Sequence, residues 1–225
     1  MRYTITLLLL LLVPGIMEAH HDVDTTVSID RANLNPGHRI DFIENKGQWN
    51  ERVLYRAETQ KAVTFVESNC FTIVLRAPVS APRDHNFHHQ RLFKYHAYRL
   101  NFNNCQDAIV SGLGKSETYS NYYIGNDPEK WASHVAHYGS IEYKEIYKSI
   151  DLRVYGAENA LKYEFIIHPG GSPDDISISY DGVRNVRFRN NNIVMESSIG
   201  KIIESEPYVY QEIGDDTVVI PAQYV

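Results

Sequence analysis

The residues whose types could do chemistry fall into a few groups. His85, His88 and His89, with His96 beyond them, offer imidazoles that bind zinc, copper or nickel when neutral. The spacing His85-x-x-His88 suits a metal. The stretch from Ala77 to Gln90 nevertheless reads as an exposed loop with no matching carboxylate nearby. The expectation is a solvated loop that gains charge below about pH 6.5, with no metal or other cofactor. Glu142, Glu145, Asp151 and Glu164 could supply the carboxylate pair of a glycoside hydrolase. Chance pairs are common among 28 acidic residues, and surface solvation is the plainer role.

No G-x-S-x-G nucleophile motif occurs. Ser111-Gly112-Leu113-Gly114-Lys115-Ser116 ends like a phosphate loop, but Ile109 stands where the first glycine is required. No catalytic residue is assigned, and the chain is expected not to be an enzyme.

The aromatic store is larger, with sixteen tyrosines and two tryptophans. Exposed flat rings stack on sugars or anchor protein partners. Tyr119, Tyr122, Tyr123 and Trp131 are the candidate ligand-binding set, with Tyr208 and Tyr210 as a second group. The alternative is that most rings fill a core and tie their hydroxyls to backbone. Cys70 and Cys105 could pair as one disulfide in an oxidising compartment, worth about 3–4 kcal/mol by loop closure. Two separate buried thiols are the other reading.

These groups must be positioned by strands. From Ile40 onward, short apolar runs alternate with Gly, Asn, Asp and Pro. The clearest strand is Phe93 to Phe102, with Phe93, Tyr95, Ala97 and Arg99 on one face, Lys94, His96, Tyr98, Leu100 and Phe102 on the other, and Asn103-Asn104 as its stop. Other expected strands are Val53–Ala57, Ala62–Val66, Phe71–Leu75, Ile150–Tyr155, Lys162–His168, Ile176–Tyr180, Val183–Phe188, Ile193–Ser197, Lys201–Glu204, Tyr208–Ile213 and Val218–Val225. Asn190-Asn191-Asn192 and Gly214-Asp215-Asp216 suit tight turns. Asp127-Pro128-Glu129-Lys130-Trp131 predicts a short helical turn capped by Asp127. No long amphipathic helix is visible. The fold class is therefore all-β: a β-sandwich or stacked antiparallel sheets with short helical turns.

At the N-terminus, Arg2 precedes an apolar run from Ile5 to Val13, then Pro14, Gly15 and a small residue at Ala19. That is the layout of a secretory signal peptide, too short to span a bilayer. The organisation expected is a signal peptide over 1–19, a flexible leader over 20–39 and a β domain over 40–225. The apolar run ending at Val225 suggests a domain truncated there. No later segment is apolar enough to cross a membrane. A net charge of −6 argues against nucleic acid as a partner.

Five ordered blocks carry a family resemblance. They are Asp41-Phe42-Ile43-Glu44-Asn45-Lys46-Gly47-Gln48-Trp49, Asn121-Tyr122-Tyr123-Ile124-Gly125-Asn126-Asp127-Pro128-Glu129-Lys130-Trp131, Ile150-Asp151-Leu152-Arg153-Val154-Tyr155, Leu161-Lys162-Tyr163-Glu164-Phe165-Ile166-Ile167-His168-Pro169-Gly170, and Glu206-Pro207-Tyr208-Val209-Tyr210-Gln211. Over roughly Ile40 to Val225 the chain resembles the uncharacterised N-terminal β domain of large bacterial cell-surface proteins. In those proteins SBBP-type β-propeller repeats, PKD-like modules and often a type IX secretion sorting domain follow. The resemblance implies a secreted protein, extracellular or on the outer surface of a Gram-negative bacterium. Asp24-Thr25-Thr26 also resembles the O-glycosylation acceptor of such bacteria. Physically the blocks read as structural: Gly47 marks a turn, Asn45 and Asn126 bond backbone, and Trp49 is expected to seal one edge of the core. The function expected is a non-enzymatic surface module for adhesion, matrix assembly or presentation of repeat domains, with a surface glycan or protein as partner. The alternative is a carbohydrate-binding or glycoside-processing domain.

Overall fold

The computed structural model describes residues 4–12, 40–78, 92–157, 160–213 and 216–225. Among them sixteen strands follow in chain order. β1 spans Thr4–Leu12, β2 Phe42–Glu44, β3 Val53–Glu58, β4 Ala62–Glu67, β5 Cys70–Pro78, β6 Phe93–Phe102 and β7 Ile109–Tyr122. A 3-10 turn at Pro128–Lys130 leads into β8 Ala132–Tyr147, β9 Ile150–Ala157 and β10 Ala160–Ile167. A second, Pro173–Asp175, precedes β11 Ile178–Asp181, β12 Arg184–Arg189, β13 Asn192–Ser197, β14 Gly200–Glu204, β15 Tyr208–Ile213 and β16 Asp216–Ile220. The fold is all-β, and among the described residues no helix is long and apolar enough to cross a membrane.

The strands form one curled antiparallel sheet, in the order β11-β6-β5-β4-β3-β2-β8-β9-β10-β1-β14-β13-β12, with β15 on β1, β16 on β15 and β7 on β8. β8 joins two halves of the sheet. Along one side it pairs with β7 from Ala132 to Lys144. On the other it meets β2 at His137 and Tyr138, then β9 from Ser140 onward. Two residues of β8, His134 and Glu145, take positive φ, and register shifts accompany the bends.

Alternation decides which face is buried. In β10, Leu161, Tyr163, Phe165 and Ile167 are buried while Lys162, Glu164 and Ile166 are half-buried. Ile150, Leu152 and Val154 of β9, and Tyr98, Leu100 and Phe102 of β6, point into the same core. Each such side chain contributes about 1.5–3 kcal/mol by leaving water. Tyrosines fill much of this interior. Tyr143 donates to the Glu67 carbonyl at 2.5 Å and Tyr147 to the Ser177 carbonyl at 3.0 Å. Glu204, wholly buried, accepts from the hydroxyls of Tyr163 and Tyr180, the latter at 2.6 Å. The outermost strand beyond β13 is β12, whose Arg184, Arg187 and Arg189 are all exposed, a charged edge that discourages pairing with other chains.

Several expectations change in detail. Thr4–Leu12, which reads as the apolar core of a signal peptide, forms β1. The expected last strand, Val218–Val225, stops at Ile220, because Pro221 has no N–H for the ladder. The expected strand Ile176–Tyr180 begins at Ile178, after the second 3-10 turn. Ser111 to Ser116 lies within β7. A Cβ at Gly112 would collide with the ring of Tyr138 across the ladder, so packing accounts for that glycine. The turn at Asn190 and Asn191 uses positive φ at both residues, as expected. The turn expected at Gly214-Asp215-Asp216 and the leader over 20–39 involve positions outside the described residues.

Candidate functional site

The end of the β7–β8 hairpin brings together most of the rings singled out in the sequence. Tyr119 pairs opposite Ala136, Ser120 opposite Val135 and Tyr122 opposite Ala132. Between the strands the chain makes the expected capped turn. Asp127 accepts from the Glu129 N–H at 3.2 Å, and the Trp131 N–H closes on the Pro128 carbonyl at 3.0 Å. The Trp131 indole is then pinned by its Nε1–H to the Gly125 carbonyl at 3.2 Å.

Tyr123 meets Trp131 edge to face, with centroids 5.8 Å apart. Tyr119 stacks on His134 at 4.6 Å, with the planes within 26°. His134 holds a positive φ because its backbone is clamped from both sides: its N–H donates to Asn121 Oδ1 at 2.9 Å, and its carbonyl accepts from Lys46 Nζ at 3.0 Å. Tyr119, Tyr123 and Trp131 are 54%, 62% and 44% exposed. Among the described residues most other rings are at least half-buried, Phe93, Tyr95 and Phe188 excepted, and the clustering of exposed rings here makes this end the candidate binding surface.

Tyr122 departs from the set. It is half-buried and packs edge-on against Trp49 at 5.4 Å, with the Arg56 guanidinium 5.7 Å from the Trp49 ring centroid. Trp49 therefore does not seal the buried core as expected. It sits over the β2–β3 turn because that turn is built on Asn45. Asn45 Oδ1 accepts from the Gly47 and Trp49 N–H groups, each at 3.1 Å, and its Nδ2 donates to the carbonyls of Asn50 and Val53. Gly47 takes φ +103°, open to glycine. An open hollow of about 480 Å³ lies beside the turn, lined by Glu44, Trp49, Glu51, Tyr55 and Val110 among others.

Next to these rings lies a group that no local motif announces. Ser120 Oγ is 2.8 Å from His137 Nε2, and His137 Nδ1 is 3.3 Å from Asp41 Oδ2. With the ring proton on Nδ1, Asp41 orients the imidazole and Nε2 accepts from the serine. That is the order of nucleophile, base and orienting carboxylate. The three residues come from β7, β8 and the residue before β2, so only the sheet assembles them. Ser120 and Asp41 are half-buried and the His137 side chain is 13% exposed.

The four candidate carboxylates are brought together in part. Glu142, Asp151 and Glu164 share a cation network over β8, β9 and β10. Lys144 lies 2.8 Å from Asp151 and 3.2 Å from Glu142, Arg153 lies 3.3 Å from Glu142 and 3.6 Å from Glu164, and His168 lies 2.9 Å from Asp151. Burial pushes the Asp151 carboxyl up, but Lys144, the Glu145 N–H and His168 outweigh it and hold it below the usual value. A general acid needs a carboxyl that keeps its proton, and the pairing here works against that. Glu145 has positive φ and contributes its N–H to Asp151 instead.

Of the histidines, His85, His88 and His89 lie outside the described residues, and His96 sits 3.0 Å from Ser198 Oγ. Among the described residues no group of three or more potential metal ligands occurs. Cys70 and Cys105 stand as free thiols. Burial pushes Cys70 up to about 11, which leaves it a poor nucleophile. Tyr208 and Tyr210 lie on β15 with ring centroids 5.9 Å apart.

A family model described as a domain of unknown function, DUF7948, matches residues 42–225. The chain belongs to that family. Comparison with curated proteins found no match, nor did comparison with solved structures.

Proposed function

We propose that this domain is a non-enzymatic module, exported to the outer surface of a Gram-negative bacterium, where it serves adhesion, matrix assembly or presentation of repeat domains. Its working surface is the aromatic end of the β7–β8 hairpin, and its ligand is a surface glycan. The observation that carries the reading is the pinned, exposed set of Tyr119, Tyr123 and Trp131 beside His134. Flat rings held in place lose little entropy when a sugar face stacks on them. The Arg2-led apolar run supports export. The resemblance to the leading domain of proteins with SBBP-type repeats, PKD-like modules and type IX sorting domains supports the surface setting. A glycoside-processing role is less favoured, since Glu142, Asp151 and Glu164 are engaged by Lys144, Arg153 and His168.

A glycan-array screen of the exported chain, beside a thermal melt of the same sample, tests this. The reading expects a cooperative melt with selective binding. A cooperative melt with no glycan bound turns the reading toward a scaffold or protein-binding module.

The Ser120–His137–Asp41 line favours a second reading, acyl transfer from an ester through Ser120. A fluorophosphonate probe that labels Ser120 in the wild type but not in His137→Gln supports it. An unlabelled wild type removes it.

A further inference from the structure

β1 occupies an unusual place. Along one side it pairs with β10, from Ile5 opposite Ile167 to Leu10 opposite Lys162. Along the other it pairs with β15, from Thr4 opposite Glu212 to Leu8 opposite Tyr208, and then with β14 at Leu11 and Leu12. Among the described residues no other ladder joins β12 to β16 with the rest of the sheet. β1 is thus an internal staple. Yet its residues are those that read as the apolar core of a signal peptide. If export removes residues 1–19, β10 and β15 face each other across an empty strand position.

Such a gap is not left open at low cost. It bares an N–H and C=O row on each flank. It also opens a seam beside Tyr163, Phe165 and Ile167, all buried, and beside Val209. The C-terminal strands would then lose their ladder to the sheet and keep side-chain contacts, chiefly Ile193, Met195 and Ile202 in the core, Glu204 on its tyrosines and Ser198 on His96.

We propose that the β1 position is a strand-acceptor slot in the exported domain, filled by an uncharged apolar β-strand from a second polypeptide. The proposal rests on the export reading above. β1 itself shows what the slot takes: about nine residues, antiparallel to both β10 and β15, with no charged residue. Main-chain bonds on both flanks supply affinity and the apolar seam supplies selectivity. Among the described residues, the strands left at the sheet edges do not meet the requirement. β12 carries three arginines, β16 has five residues beginning with Asp216, and β11 has four ending in Asp181. β7 holds Lys115 and Glu117. The described edge strands thus favour a foreign strand as the occupant over one of these strands from a second copy.

The test uses the chain as recovered after export, with intact mass recorded first. A mass that retains residues 1–19 contradicts removal of that segment, and with it the slot, while leaving the hairpin reading untouched. With the segment removed, amide hydrogen exchange is followed over Lys162–Ile167 and Tyr208–Glu212. The probe is a synthetic peptide of residues 2–12. Its control carries Leu7→Pro, which removes the N–H at the position facing both Phe165 and Val209. The proposal expects both stretches to exchange at least tenfold more slowly with the peptide and to be unchanged with the control. Protection already present in a monomer without peptide, equal protection by both peptides, or protection by neither overturns it. Protection that appears only in a dimer on size exclusion reassigns the occupant to a second copy and overturns it as stated.

Discussion

Two regions of this chain use the tyrosine side chain oppositely. Around Glu204, the buried Tyr163 and the half-buried Tyr180 both donate their hydroxyls to one buried carboxylate. At the β7–β8 end, Tyr119 and Tyr123 lie more than half exposed, in ring contact with His134 and Trp131 respectively. In the first region the phenol is a structural donor whose proton is locked in. Burial and the carboxylate push Tyr163 and Tyr180 far above the usual phenol value. In the second, the ring faces not covered by those contacts are available to a ligand. A tyrosine-rich composition therefore does not itself mark a binding protein. What marks the surface is the minority of rings that a turn pins outward.

Substitutions separate the two regions, and the largest effect belongs to the core. Phe165→Ala, which empties a wholly buried site between Tyr163 and Phe102, should cost about 3–5 kcal/mol in urea unfolding. Tyr163→Phe keeps the ring but takes a donor from buried Glu204 and should cost about 1.5–3 kcal/mol. A loss near zero there would mean that the carboxylate and phenol are not coupled as drawn.

Two carboxylates sharpen the contrast through pH. Burial raises Glu204 above its ordinary 4.5, and its tyrosine donors offset only part of that. The folded state then holds this proton more tightly than the unfolded one, so its contribution is lost as pH rises from 4.5 through the raised value. Asp151 is held below its ordinary 3.8, so its contribution is present above that value and fades as pH falls through the lowered one. Urea midpoints across pH should therefore lose a falling limb in Glu204→Gln and an acid-side rising limb in Asp151→Asn. The same change of slope in both variants would contradict the assignment. The smallest stability effect belongs to the exposed rings: Trp131→Ala and Tyr123→Ala should each shift stability by no more than about 0.5 kcal/mol.

The division was partly legible in the sequence. Period-two alternation marked β10 and β9 and, imperfectly, β6, and the Asp127-Pro128 signal placed the turn that presents Trp131. β7 and β8 were not legible as strands. Gly112, Gly114 and the polar run through Glu117 lower the apparent propensity of β7, and the positive φ at His134 and Glu145 interrupts the alternation of β8. Trp49 was misplaced because its contacts, Tyr122 and Arg56, come from other strands. Asp41, Ser120 and His137 lie far apart in the chain, and no spacing rule joins them. The apolar run at Thr4–Leu12 has the composition of both an export signal and a buried strand, and composition alone does not choose between them.

The account turns on the exposed rings being a binding surface rather than stray core. The direct measurement is a calorimetric titration, with the glycan selected by the array, of the wild type, Trp131→Ala and Tyr123→Ala, each with its melting temperature. The account predicts at least tenfold weaker binding in both variants at an unchanged melting temperature. Unchanged affinity in both variants, or a loss that tracks a lowered melting temperature, would contradict it.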